Sequence, residues 1–119
     1  MKNKIIVSIL ISATLLLIST EGYSQLFPTK LKVTVIDGLG NFTENATVTL
    51  YSSIDDYRAN EKAVMTGKTD EKGRVKFKDL KPTIYFIDAR KADKNNYGEG
   101  VKTGPISKGK TNKVNIVIE

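Results

Sequence analysis

Thr69-Asp70-Glu71-Lys72-Gly73 is the stretch of this 119-residue chain whose side chains come closest to a ligand set. Asp70 and Glu71 offer oxygens of the kind calcium takes, and a loop carboxylate from Asp55 or Asp56 would add a third. The acidic residues lack the spacing of an EF-hand loop, and the same five residues fit a tight turn joining two strands. In such a turn Asp70 accepts hydrogen bonds from backbone N–H groups two residues on, and Gly73 takes the left-handed conformation. The turn is the expectation, with no metal and no cofactor.

Other chemistry is limited by what the chain lacks, since it contains neither histidine nor cysteine. Their absence removes Ser-His-Asp and Cys-His arrangements, the histidine-bearing zinc sites and the commonest general base near neutral pH. It also removes disulfides and thiol nucleophiles. The carboxylate pairs Asp55-Asp56 and Asp70-Glu71 lie in polar loops, where adjacent residues seldom converge on one substrate. An enzyme is therefore not expected. Binding is better served by aromatic residues beside polar ones, because an exposed tyrosine presents an apolar ring and a hydroxyl to a sugar or a peptide. Tyr57-Arg58 and Asn95-Asn96-Tyr97 have that composition. Tyr57, Arg58, Asn96 and Tyr97 are the candidate ligand-binding residues, with plain loop packing as the competing reading. Tyr85 is expected in the core and Tyr51 over a sheet face.

The elements that must position these residues begin after residue 24. Lys2 and Lys4 precede an apolar run over 5–18, and Gly22-Tyr23-Ser24 before Gln25 completes the pattern of a Sec signal peptide. Ser8, Ser12 and Thr14 interrupt the run, so a cleaved leader is favoured over a membrane span and no transmembrane anchor is expected after cleavage. No cysteine stands at the junction, which excludes a lipid anchor there. Residues 25–119 suffice for one domain. The net charge of +6 falls to +5 once Lys2, Lys4 and Glu21 leave with the leader. Such an excess favours loose attraction to acidic surfaces. The lysines are spread along the chain without a long run, however, which reads as solubilising charge. The basic loop of Lys108, Lys110 and Lys113 could meet an acidic polymer, but without interleaved aromatics nucleic acid is not expected.

Period-two alternation recurs along residues 31–118, and no window keeps a helical apolar spacing for long. Strands are expected over 31–36, 46–51, 63–66, 74–78, 84–89, 101–103 and 114–118. The polar stretch 52–62 reads as a loop with one helical turn capped by Ser53, and 91–100 as a second polar loop. Residues 84–87 are apolar on both faces, as in a strand central to its sheet. Seven short strands with turn signals every eight to twelve residues describe an all-β protein, a single seven-stranded β-sandwich.

Asp37, Gly40-Asn41, Ala46-x-Val48-x-Leu50, Thr69-Asp70-x-x-Gly73-x-Val75-x-Phe77 and Leu80-x-Pro82-x-x-Tyr85-x-Ile87 occur here in order. Together they resemble the prealbumin-like (transthyretin-like, Ig-like) sandwiches that include carboxypeptidase regulatory-like domains and the Cna-B, or SpaA-type, repeats of surface proteins. The Cna-B resemblance implies an internal lysine-to-asparagine isopeptide bond, which needs a buried neutral lysine and a buried protonated glutamate. The corresponding positions hold Val35 and Ala89, with Asp88 on the opposite face of its strand. No such bond is expected, and Asn115 survives only as a formal match to the acceptor. The departure moves the resemblance towards carboxypeptidase regulatory-like modules, which are mostly non-catalytic accessories. Hydroxyisourate hydrolases, also of transthyretin fold, resemble histidine-dependent catalysts. The leader ending in Tyr23-Ser24-Gln25 resembles those of Bacteroidota. Together these imply a secreted or periplasmic module that binds a partner protein through an edge strand or a cell-envelope glycan through its loops. The alternative is a structural envelope or matrix component without a defined ligand; a metal-dependent or carboxylate enzyme is the remote third.

Overall fold

Alternating apolar residues can bury one face of a strand only by meeting the apolar face of a second sheet, and this chain meets that need with two sheets packed into a sandwich. A computed structural model describes residues 27–97 and 102–119. The leader expected over 1–24, and Val101 of the expected sixth strand, lie outside the described residues. The elements are β1 (Lys30–Asp37), β2 (Thr47–Tyr51), α1 (Ile54–Ala59), β3 (Met65–Lys68), β4 (Arg74–Phe77), β5 (Phe86–Lys91), β6 (Lys94–Asn95) and β7 (Thr111–Ile118). One sheet has the order β4-β1-β7 and the other β3-β2-β5-β6. Neighbours pair antiparallel except β1 and β7, which run parallel over their full length. The side-chain amide of Asn112 helps set that parallel register: it donates to the Lys30 carbonyl at 3.0 Å and accepts from the Ser107 N–H at 2.8 Å.

Between the sheets lie Leu31, Val33 and Val35 of β1, Val48 and Leu50 of β2, Phe77 of β4, Ile87 and Ala89 of β5, and Ile116 and Ile118 of β7. Tyr85 joins this core as expected, its hydroxyl accepting a 2.9 Å hydrogen bond from the Lys81 N–H. Each fully buried leucine or isoleucine here contributes about 1.5–3 kcal/mol relative to exposure. The strands fall close to the expected positions, with β5 two residues later than the expected 84–89, β7 beginning three residues before the expected 114–118, and three further differences. The third spans Met65–Lys68, two residues later than expected. The loop over 91–100 contains β6, formed because Ala92, at φ 53°, folds the chain back on β5. Of the expected strand over 101–103, Lys102 makes a lone antiparallel bridge to Phe86.

The chain crosses from one sheet to the other between β3 and β4, and this corner is the Thr69–Gly73 turn. Asp70 accepts from the N–H groups of Lys72 and Arg74 at 2.9 and 3.0 Å, and Gly73 N–H closes on the Asp70 carbonyl at 2.9 Å. Gly73 has φ 71°, and a Cβ there would lie 2.6 Å from the Val35 carbonyl oxygen. Thr69, buried, accepts from the Ala46 N–H at 2.9 Å and donates to the Thr43 carbonyl at 2.6 Å. The segment is thus a corner built from its own side chains. Asp37 caps its own loop similarly, taking the N–H groups of Leu39 and Asn41 at 2.9 Å each.

Gly73→Ala should lower stability by on the order of 2–4 kcal/mol, read as a reduced urea midpoint, since both the dihedral and the space exclude a methyl group. Backbone hydrogen bonds, from Arg74 to Asp70 and from Asn41 to Asp37 foremost, lower both carboxyls' pKa values below the ordinary aspartate value. A depressed folded value favours the fold above the unfolded pKa of about 3.9, and that advantage disappears as pH falls through the lower folded value. The melting temperature should therefore drop below about pH 4, with a shallower drop in Asp70→Asn.

Candidate functional site

The two outer faces of the sandwich differ, and the aromatic candidates gather on one of them. Ser53 caps α1 by accepting from the Asp56 N–H at 3.1 Å, and Asn60 ends the helix in the left-handed conformation. The helix packs over the outer face of β2 and β5, where the alternation of strands that buries Ile87 and Ala89 turns Asp88 outwards. Tyr51, at the end of β2, lies beneath this cover with its ring 5.9 Å from that of Tyr57, edge to face. Tyr57 in turn meets Tyr97 edge to face, with centroids 6.4 Å apart. Residues distant in sequence are therefore brought together as one aromatic row: Tyr51, Tyr57, Tyr97.

Arg90 organises its outer end. Its Nε binds both carboxylate oxygens of Asp88, at 2.9 and 3.1 Å. Its guanidinium carbon lies 5.0 Å from the centre of the Tyr97 ring, and Nη2 donates to Asn60 Oδ1 at 3.3 Å and to the Tyr97 hydroxyl. Such stacking of a cation on a ring and edge-to-face ring contact each add about 0.5–1.5 kcal/mol. Asp88 is nearly buried while Arg90 is partly open to solvent, so the pair fixes the guanidinium from below and leaves an edge accessible. The Tyr57 hydroxyl is pushed above the ordinary tyrosine pKa, by burial first and by Asp88 second, so it stays a neutral donor and acceptor. Tyr97 remains half exposed, and Arg58, one residue along α1 from Tyr57, is exposed.

The four expected site residues thus divide. Tyr57 and Tyr97 touch, and Arg58 is on the surface of the same helix. Asn96 lies inside, completely buried. Its amide donates to the Ile87 carbonyl at 2.8 Å and accepts from the Ala89 N–H at 3.0 Å, which holds the β6 end against β5 and leaves it no surface to present. Arg90, Asp88 and Asn60 were not marked by any motif; the one available signal was the period of two that puts Arg90 on the same face as Asp88.

The residues of the alternative chemistries are occupied otherwise among the described residues. Asp70 Oδ1 is committed to backbone N–H groups, and Asp55 and Asp56 sit in the first turn of α1 on the other sheet. Among the described residues no group of three or more acidic side chains comes together to hold a metal ion. At the isopeptide positions Val35 and Ala89 are fully buried, Asn115 is exposed opposite Thr34, and no described lysine is buried. A concavity of about 380 Å³ between the Asp37 loop and the β5–β6 turn has walls of mixed charge, including Glu44, Lys91, Asp93 and Lys94, and lies apart from the tyrosines.

No family model matches the sequence, and no curated protein matches it. Solved structures do. The Bacillus anthracis TIE protein is 29% identical, with 77% of this chain and 17% of that one covered at a TM-score of 0.55. BcpA, the major pilin subunit of Bacillus cereus, is 24% identical over 78% of this chain and 30% of its own, at 0.54. The group B streptococcus pilus 2b backbone protein is 14% identical over 76% and 40%, at 0.56. The chain spans less than half the length of each of these proteins. The likeness to the two pilus proteins is one of fold, and it bears out the all-β sandwich.

Asn96 provides a direct check on how the site is held. Asn96→Ala would strand the Ile87 carbonyl and the Ala89 N–H without partners, at a cost of roughly 2–4 kcal/mol. The expected result is a lowered urea midpoint.

Proposed function

We propose that this chain is an exported, non-catalytic β-sandwich module that acts by binding a cell-envelope protein or glycan at the Tyr57–Tyr97–Arg90 face. Residues 1–24 serve as the cleaved leader, and the remainder is an accessory module of the carboxypeptidase regulatory-like kind. One observation carries the reading: Tyr97, half exposed, is held in place by Arg90 and Tyr57, and Arg90 is itself fixed by Asp88. A ring and a guanidinium ordered before a ligand arrives lose little conformational freedom on binding, which makes them effective contacts for a sugar ring or a peptide side chain. Arg58, exposed on the helix that carries Tyr57, would add a second guanidinium. The polar edges of Arg90 and Tyr97 would orient hydroxyl or carbonyl groups, while the ring faces supply apolar area.

The likeness of fold to BcpA and to the group B streptococcus pilus backbone protein supports a second reading, a structural component of a surface assembly without a separate ligand. The two readings part on one experiment. Protein beginning at Gln25 is used to capture partners from the source organism's envelope fraction, beside an Arg58→Ala/Tyr97→Ala variant. The binding reading expects a partner retained by the parent and weakened at least tenfold in the variant, about 1.4 kcal/mol or more. Capture unchanged by the variant would move the site away from this face, and no enrichment at all would favour the structural reading.

A further inference from the structure

The opposite outer face, that of β4-β1-β7, carries no helix among the described residues and has a different chemistry. The outward positions of β1 are Lys30, Lys32, Thr34 and Ile36; those of β4 are Arg74 and Lys76; those of β7 are Thr111, Lys113, Asn115 and Val117. Strand register places Lys76, Lys32 and Lys113 in one row straight across the sheet. The next row is Arg74, Thr34 and Asn115. With strands about 4.8 Å apart, three ammonium-bearing stems stand within about 10 Å. These outward positions include no acidic residue, and among the described residues the one ion pair is Arg90–Asp88, on the other face. Asp70 borders the cluster beside Arg74 and Lys76, but its Oδ1 is occupied by backbone N–H groups.

Like charges directly opposite one another on neighbouring strands are destabilising, so this row costs stability instead of adding to it. The neighbours' effect is visible on Lys32, whose ammonium is held below the ordinary lysine pKa, by Lys113 first, then by desolvation and by Arg74 and Lys76. A surface charge that only had to keep the protein in solution would not need to be concentrated in register. The lysines that are spread through the sequence therefore converge in the fold, because β1, β4 and β7 each present every second residue to the same side.

We propose that the outer face of β4-β1-β7 is a docking surface for an acidic polysaccharide, contacted through Lys32, Lys76, Lys113 and Arg74. The charge is complementary to a polymer bearing carboxylates. Thr34, Thr111 and Asn115 stand between the cations and offer hydroxyl and amide groups to the polymer's own hydroxyls. Lysine is depleted from protein–protein interfaces, which argues against a protein occupant. The rows of Lys76, Lys32 and Lys113 and of Arg74, Thr34 and Asn115 hold no large apolar or aromatic side chain with which to enter a bilayer or stack bases; Ile36, Val117 and Phe42, bridged to Ile36, lie beyond them. This surface is independent of the aromatic face across the sandwich.

The test uses polygalacturonate as the probe and the purified protein as the ligand-binding partner. Lys32→Thr/Lys76→Thr/Lys113→Thr is compared with Lys68→Thr/Lys81→Thr/Lys94→Thr, which loses the same charge at exposed lysines away from this face. The expected result is salt-sensitive binding by the parent, a loss of at least tenfold in the first variant, and a change of less than twofold in the second. Tyr97→Ala should bind polygalacturonate like the parent, so the fate of the aromatic-face reading is decided separately. The first variant should melt no lower than the parent, since threonine is favoured in strands and the repulsion is gone. Should it fail to fold, Lys113→Gln alone on the edge strand is still expected to weaken binding at least threefold. Equal losses in the two triple variants would overturn the proposal in favour of net charge alone. Binding to phosphatidylserine vesicles or to polyglutamate as strong as to polygalacturonate would overturn it in favour of another class of partner.

Discussion

The close approach of Gly73 to the Val35 carbonyl is the constraint on which the rest of the sandwich depends. The chain must leave the sheet of β3 and enter that of β4 within five residues, and backbone must pass over backbone to do so. Gly73 leaves room for the Val35 oxygen, and its own carbonyl takes the Val35 N–H at 2.7 Å. The Val35 oxygen in turn accepts from Thr43 N–H at 3.0 Å, and Thr69 reaches the same segment through Thr43 and Ala46. One turn thereby fixes β1 against β4, the entry to β2, and the distance between the sheets. A side chain at residue 73 would disturb all three together, because Val35 binds Gly73 through its N–H and Thr43 through its carbonyl, and Thr43 links that segment to Thr69.

This dependence explains why a segment with carboxylates in a row is structural. Asp70 owes its lowered pKa to backbone N–H groups that need an acceptor once the chain turns sharply, and an acceptor so engaged has little left for a cation. Asp37 shows the same arrangement in the loop after β1. In both loops the charged oxygen replaces the ladder partners that the backbone loses when the strand ends.

Most of the architecture was legible because burial imposes a period of two, which survives in β1, β2, β4, β5 and β7 as alternating apolar residues. What could not be read has local reasons. The β5–β6 hairpin turns at Ala92-Asp93, which lacks the Asn-Gly or Asp-Gly pair that marks a two-residue turn, since here a plain alanine takes the positive φ. Asn96 resembles a loop residue in sequence, yet its amide substitutes for a strand partner between Ile87 and Ala89. Tyr57 and Tyr97 could be named as candidates from their neighbours, but their contact depends on α1 folding back over β5, a long-range event without a sequence signature. The basic row was invisible for the same reason: Lys32, Lys76 and Lys113 are far apart in the chain and become neighbours only through register.

The two outer faces show how a single core can support unlike surfaces. Inward residues decide which strands pair and in what register, so any outward residue inherits its neighbours from decisions made on the other side of the strand. On the β2–β5 face those neighbours stabilise one another: Asp88 neutralises Arg90, Arg90 stacks on Tyr97, and Tyr97 meets Tyr57. On the β1 face they repel, and the parallel β1–β7 pairing sets Lys32 beside Lys113 with no acid between them. The repulsion is tolerated because Leu31, Val33 and Ile116 hold the same strands from inside, where solvent neither screens nor competes with their packing. Because exposed charges act through water and buried groups through contact, changes on the basic face alter the surface field much more than they alter the core. Chemistry on either face can therefore be varied without disturbing the corner at Gly73 that both sheets share.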